Sequence, residues 1–258
     1  MAMYRRLTRA DQAGRYLASE HTQGPWDPRT QHMGPVAALI AHEVAQTAPR
    51  PGLEPSRLVA EVFAPVPVAE LEVTTDVVRD GKRVQCLSAS VSSGGREYVR
   101  ATAWRIRTEE MPPVGGAAPP APPHSLKPDG SWLATDFGYG RAMEWRFVAG
   151  GPGETGPATA WGRLRVPLVE GEEPAPFERV AVLADSGNGI SAALGFDTHV
   201  FVNVDLTISL FRAPAGEWVC MDAETVVGPS GRGLTRSTLY DESGEIGAAT
   251  QTLFVAPR

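Results

Sequence analysis

The stretch Pro176-Phe177-Glu178-Arg179-Val180-Ala181-Val182-Leu183-Ala184-Asp185 sets an acid at the end of an apolar helix pattern. Phe177, Val180, Ala181 and Ala184 share one face at helical spacing. Asp185 follows one step past that stripe, and Gly187-Asn188-Gly189 then breaks the pattern. Such residues suit a turn that ends a helix. An acid is nevertheless poorly placed at a helix C-terminus, where the dipole disfavours negative charge. The same field, with partial burial, would make the carboxylate a more useful base. Asp185 is therefore a candidate catalytic group. A complementary feature lies in His32-Met33-Gly34-Pro35-Val36. Pro35 suits a first helical turn, and N–H groups at a helix start are unpaired and lie at its positive pole. The Gly34 N–H, helped by that of Val36, can stabilise charge developing on a reacting oxygen. With no side chain, Gly34 would also let a ligand approach the main chain.

Other chemistry is not signalled. There is no Gly-x-Ser-x-Gly, and neither Cys86 nor Cys220 sits in a nucleophile motif. The absence of a nucleophile agrees with direct attack by water. Two buried thiols or a disulfide both remain open for the cysteines. Gly228-Pro229-Ser230-Gly231-Arg232-Gly233 reads as a hairpin turn, since no helix pattern follows it. The five histidines show no ligand spacing, so neither a metal nor another cofactor is expected. A hydrophobic share of 42% and a charged share of 21% suit a chain that buries a real core. The net charge of -6 gives no broad basic surface and argues against nucleic acid as a partner. Arg5-Arg6-Leu7-Thr8-Arg9, the one basic run, reads as a solvated strand edge. No apolar leader or membrane-length stretch is visible, so the expected location is the cytoplasm, with no membrane partner.

The elements that must position these residues come as a repeat. Residues 70–107 and 217–255 each read as three strands with period-2 alternation. Their turns match: Asp80-Gly81 against Pro229-Ser230-Gly231, and Ser93-Gly94-Gly95 against Glu242-Ser243-Gly244. A further strand precedes each set, around 57–64 and 199–211. Before each of those comes a helix, from Gly34 and from Pro176. Two short strands open each half, around 4–8 and 14–21, then 143–149 and 158–166. The order strand, strand, helix, four strands thus occurs twice. A helix apolar for most of its circumference is simply buried by a curved antiparallel sheet. The expected class is α+β, two helix-wrapping sheets paired side by side. The expected domains are 1–108 and 131–258, joined by a Pro/Gly-rich connector at 109–130.

This arrangement resembles the double hot-dog acyl-CoA thioesterases of the thioesterase-like superfamily, acyl-CoA thioesterase II among them. The resemblance covers nearly the whole chain. It is carried by residues 24–44, 177–189, 201–218 and 241–255. The first stretch resembles the family's Gly-Pro-Trp…Gln-His-Gly-Gly-Pro, with Met33 in place of the first glycine of the pair. The last resembles a Gly-x-x-Gly-x-x-x-Gln ending.

The resemblance implies a water held by an Asp, a Ser or Thr, and a Gln. On this chain these are Asp185, Asn203 in the hydroxyl position, and Gln251. An amide can still donate to a water or accept from it. The implied activity is hydrolysis of a fatty or related acyl thioester, an acyl-CoA, to free acid and CoA, with the acyl chain between the two halves. His32 and Trp26 would line the mouth of the site or brace its loop. Asp27 and His32 also have the Asp-x4-His spacing of hot-dog hydratases, without the Asn-Pro between them. Two alternatives follow: a non-catalytic binder of acyl ligands, and an enoyl-CoA hydratase. Assembly of copies into a homo-oligomer is open.

Overall fold

The first helix explains the architecture. In the computed structural model, which describes residues 1–9, 14–130, 133 and 136–258, α1 spans Met33–Gln46 and every residue from Met33 to Val44 is buried. Val36, Leu39 and Ile40 are fully enclosed, each contributing roughly 1.5–3 kcal/mol by leaving water. Ala37, Ala38 and Ala41 keep the helix thin enough for a sheet to close around it. Around α1 run β1 (Tyr4–Arg6), β2 (Gly14–Ala18), β3 (Leu53–Val62), β4 (Glu70–Asp80), β5 (Val84–Ser93) and β6 (Arg96–Arg107).

The second half repeats the plan. β7 (Met143–Ala149) and β8 (Ala158–Leu164) precede α3 (Pro176–Ala184), and β11 (Val219–Val227), β12 (Arg232–Asp241) and β13 (Gly244–Pro257) close it. The strand expected at 199–211 is two: β9 (His199–Asn203) and β10 (Asp205–Leu210). The break has a local cause. The Asp205 carboxylate takes the Thr252 N–H at 2.7 Å, where a main-chain carbonyl would otherwise sit. β9 then pairs with the end of β13, and β10 with its middle.

Among the described residues the strands form one thirteen-stranded sheet in the order β1-β2-β4-β5-β6-β3-β10-β13-β12-β11-β8-β7, with β9 on β13. The order within the first half is the mirror of that within the second. β3 and β10 meet antiparallel at the centre, Leu58 opposite Ile208. This is an α+β double hot-dog.

Residues 109–122 form no regular element but are pinned to the second half: the Glu245 N–H donates to the Ala117 carbonyl at 3.0 Å, and Trp161 Nε1 donates to that of Ala121 at 2.8 Å. Ahead of β7 lies a short helix that the sequence pattern did not reveal, α2 (Gly138–Ala142). Arg6 also differs from expectation. Its largely buried side chain meets Glu43 at 3.1 Å and donates to the Tyr16 hydroxyl at 2.8 Å, because Glu43 on the buried helix needs partners. Cys86 and Cys220 are both buried free thiols. No helix among the described residues is long and apolar enough to cross a membrane.

Candidate active site

The two helices pack antiparallel. His42, near the end of α1, bonds Glu178, near the start of α3, with 3.0 Å between Nδ1 and Oε1. At the other end the α1 start meets the α3 finish. Gly34 is the contact point: a Cβ added there would lie 2.1 Å from the Val182 carbonyl oxygen. Its missing side chain admits the neighbouring helix, where the sequence suggested a ligand.

This juxtaposition answers the question Asp185 raises. The carboxylate ends its own helix unfavourably, but the antiparallel partner brings the positive N-terminal pole of α1 against it. Asp185 is buried, 5% exposed. Its Oδ1 accepts from Asn203 Nδ2 at 2.7 Å and Gln251 Nε2 at 3.0 Å. Its Oδ2 lies 3.1 Å from His32 Nδ1. Asp185, Asn203, Gln251 and His32 thus come together, the last from the opposite half.

Asp185-Ser186 is a joint and not an end. A one-turn helix, α4 (Gly187–Ile190), resumes where the sequence suggested a break. Gln251 holds the joint from both sides. It donates to the Asp185 carbonyl at 2.9 Å, and its Oε1 accepts the Asn188 N–H at 3.0 Å. Gly187 lets the turn settle on the sheet, since a Cβ there would come within 2.8 Å of Ser237 Oγ.

At the α1 start, His32 is the N-cap and its Nδ1 accepts the Gly34 N–H at 3.1 Å. The helix begins at Met33, so the Val36 N–H is the first that bonds back within it, to the His32 carbonyl. The His32 N–H is taken by the Thr22 carbonyl. Trp26 is 48% exposed, with its ring 5.1 Å from Phe196. Phe196 is in turn 5.1 Å from Phe201, two residues before Asn203. Asp27 is not with His32. It forms a fork with Arg29, with Nη2 at 2.7 Å, and the Arg29 bonds hold its carboxyl down at about 2.

A residue absent from the sequence reading completes the site. The ring of Tyr139, on α2, stacks on His32 at 4.0 Å and 8°. Its hydroxyl donates to the Val182 carbonyl at 2.9 Å and accepts from Ser186 Oγ at 2.8 Å. Burial, reinforced by the Asp185 charge, pushes the phenol well above its ordinary value, so Tyr139 stays neutral. Burial likewise lowers His32, partly opposed by Asp185, and favours its neutral form. The one sequence hint was a lone Tyr between Gly138 and Gly140. Gly138 fits directly against the Glu20 carbonyl.

Residues 22–106 match the acyl-CoA thioesterase N-terminal domain and residues 108–255 the C-terminal domain. The chain belongs to the acyl-CoA thioesterase domain family. Its fold is shared with a proposed thioesterase of Novosphingobium aromaticivorans, at 22% identity over 98% of each chain and a TM-score of 0.77. A hot-dog protein of unknown function from Alicyclobacillus acidocaldarius gives 14% identity over 96% of this chain and 95% of that one, with a TM-score of 0.78. Acyl-CoA thioesterase II TesB2 of Mycobacterium marinum gives 18% over 93% and 96%, at 0.68. No curated protein matches the chain.

Neither cysteine of this family member is an activated nucleophile. Burial raises both cysteine thiols, Cys220 strongly, and a thiol held protonated is a poor nucleophile. Ser186 is engaged with Tyr139, and Ser191 with the Gly187 carbonyl and Thr225. Arg212, a conceivable phosphate ligand, is committed instead to the buried Asp241 and to the Gly244 and Glu245 carbonyls. No three His, Cys, Asp or Glu among the described residues gather as metal ligands.

Proposed function

We propose that the protein is an acyl-CoA thioesterase that cleaves a fatty or related acyl thioester by direct attack of water. The observation that carries this is the buried Asp185 carboxylate beside the start of α1, held by Asn203 and Gln251 and lying 3.1 Å from His32 Nδ1. A carboxylate so fixed can take a proton from a water. Meanwhile the helix start opposite can receive charge on the carbonyl oxygen. Asn203 and Gln251 fix the plane of the carboxylate and help orient the water. Gly34 is the first candidate oxyanion donor, and its N–H would exchange the His32 Nδ1 acceptor for the carbonyl oxygen. Met33, whose N–H also precedes the intrahelical ladder, stands beside it in place of Val36. Trp26, with Phe196 and Phe201, flanks the approach. The product is the free acid, and CoA leaves as its thiol.

The test is a panel of acyl-CoAs with detection of free thiol. Thiol release with Asp185 intact and its loss in Asp185→Asn support the reading. Acyl-CoA retained without thiol release would make the chain a binder. Loss of the enoyl chromophore without thiol release would make it a hydratase.

A further inference from the structure

One side chain, that of Tyr139, touches both helix ends at the site. Its ring lies flat on His32, with centroids 4.0 Å apart and planes at 8°. His32 is the N-cap whose Nδ1 accepts the Gly34 N–H. At its other end, the Tyr139 hydroxyl donates to the Val182 carbonyl at 2.9 Å and meets Ser186 Oγ at 2.8 Å. The Val182 carbonyl is the group against which Gly34 packs, and Ser186 directly follows Asp185.

The α3 end leaves room for this bond. In a regular α-helix the Ser186 N–H would serve the Val182 carbonyl. Here it bonds the Leu183 carbonyl at 2.8 Å, the tighter turn common at helix ends. The Tyr139 hydroxyl reaches Val182 in its place. Burial keeps the phenol protonated, so this donor is always available. The main chain of α2 is tied in turn to the first half. The Tyr139 N–H donates to the Gln23 carbonyl at 3.0 Å, and Gly138 lies against that of Glu20. The same short segment takes the His32 N–H, through the Thr22 carbonyl at 2.8 Å.

We infer that Tyr139 is a positioning residue that aligns the Gly34 N–H and the Asp185 carboxylate on one another. This rests on the hydrolase reading above. Its ring fixes the cap of α1, and its hydroxyl fixes the last turn of α3. Ring and hydroxyl belong to one rigid side chain, so the two ends are held in a single orientation. Tyr139 itself takes no part in the chemistry, since its hydroxyl is committed to Val182 and Ser186.

Two substitutions take this brace apart. Tyr139→Phe keeps the ring on His32 and loses both bonds to the α3 end. Tyr139→Leu loses the stacking as well. At a temperature where circular dichroism shows each variant folded, kcat should fall from wild type to Tyr139→Phe to Tyr139→Leu. The last should lose about 10²-fold, the scale of a small misplacement of reacting groups, with KM little changed. A wild-type kcat in folded Tyr139→Phe overturns the inference, and so does a loss confined to KM. A second measurement, amide hydrogen exchange, needs no substrate. Tyr139→Phe should speed exchange at Ser186 relative to the middle of α3. Tyr139→Leu should also speed it at Gly34 relative to the middle of α1. Acceleration spread evenly along both helices would make Tyr139 an ordinary core residue and overturn the inference. If Tyr139→Leu does not fold, kcat and Ser186 exchange in Tyr139→Phe decide alone. If the wild type releases no thiol from any acyl-CoA, the hydrolase reading fails, and the exchange pattern still decides whether Tyr139 holds the two helix ends.

Discussion

Gln251 donates to both the main-chain and a side-chain oxygen of Asp185, at 2.9 and 3.0 Å. One amide on the final strand therefore fixes the catalytic candidate and, through the Asn188 N–H, the helix turn that follows it. Gln251→Ala leaves buried polar groups unpaired, at about 1–3 kcal/mol for each lost partner. It should lower both melting temperature and turnover. Gln251→Glu keeps the size but turns a carboxylate oxygen towards Asp185, so its turnover should be lower than that of Gln251→Ala. Thermal melting and thiol-release kinetics on the two variants check this ordering.

Asp185→Asn should fold and keep its hydrogen bonds to the sheet while losing the base. The expected fall in kcat is about 10² to 10⁴. Hydrolysis near the wild-type rate would remove Asp185 from the mechanism.

Asn203 reaches the same carboxylate oxygen at 2.7 Å. Asn203→Ala should reduce kcat more than it raises KM, and Asn203→Thr should recover part of the loss by supplying a hydroxyl. Unchanged activity in Asn203→Ala would leave Asn203 as a strand residue only.

Gly34→Ala tests the packing of the helices. The new methyl would meet the Val182 carbonyl at 2.1 Å, a backbone atom that cannot swing away. The cost should be about 2–3 kcal/mol, read as a lower midpoint in denaturant. Separating the helix ends should also lower activity, because Asp185 would leave the α1 terminus.

Stability should peak between two histidine effects of opposite sign. For His42, burial opposes the charge, but Glu178, Glu172 and Glu43 outweigh it and raise the folded value above 6.5. Its contribution is full below the unfolded value of about 6.5 and fades as pH rises through the folded one. His32 is lowered, so its contribution is present above about 6.5 and fades as pH falls through the folded value. Melting temperature from mildly acid to alkaline pH should therefore fall on both sides. His42→Gln should flatten the alkaline limb and His32→Asn the acidic one.

The repeat was legible in the sequence because strand alternation and turn residues are local signals. The strands around 70–107 and 217–255 and both central helices stand where those signals put them. Three features were not legible, for a common reason. Gly187-Asn188-Gly189 has turn chemistry, yet it continues as helix because Gln251 captures the Asn188 N–H and Gly187 packs on β12. Tyr139 has no motif around it, and its value comes only from stacking on His32 and bonding the α3 end. The contact of His32 with Asp185 likewise joins opposite halves, while local spacing had offered Asp27 as its partner. Contacts of this kind are set by tertiary packing, which local periodicity does not encode.

The seam between β3 and β10 gives the protein no hinge. Five residues of each strand are paired across it, Arg57 to Glu61 against Ser209 to Asp205. Spreading the halves like jaws would tear that ladder apart. The spacing between the α1 start and Asp185 is therefore set by the frame. If the proposed hydrolysis holds, choice among acyl groups would fall to side chains such as Trp26, Phe196 and Phe201, since the frame itself would not yield.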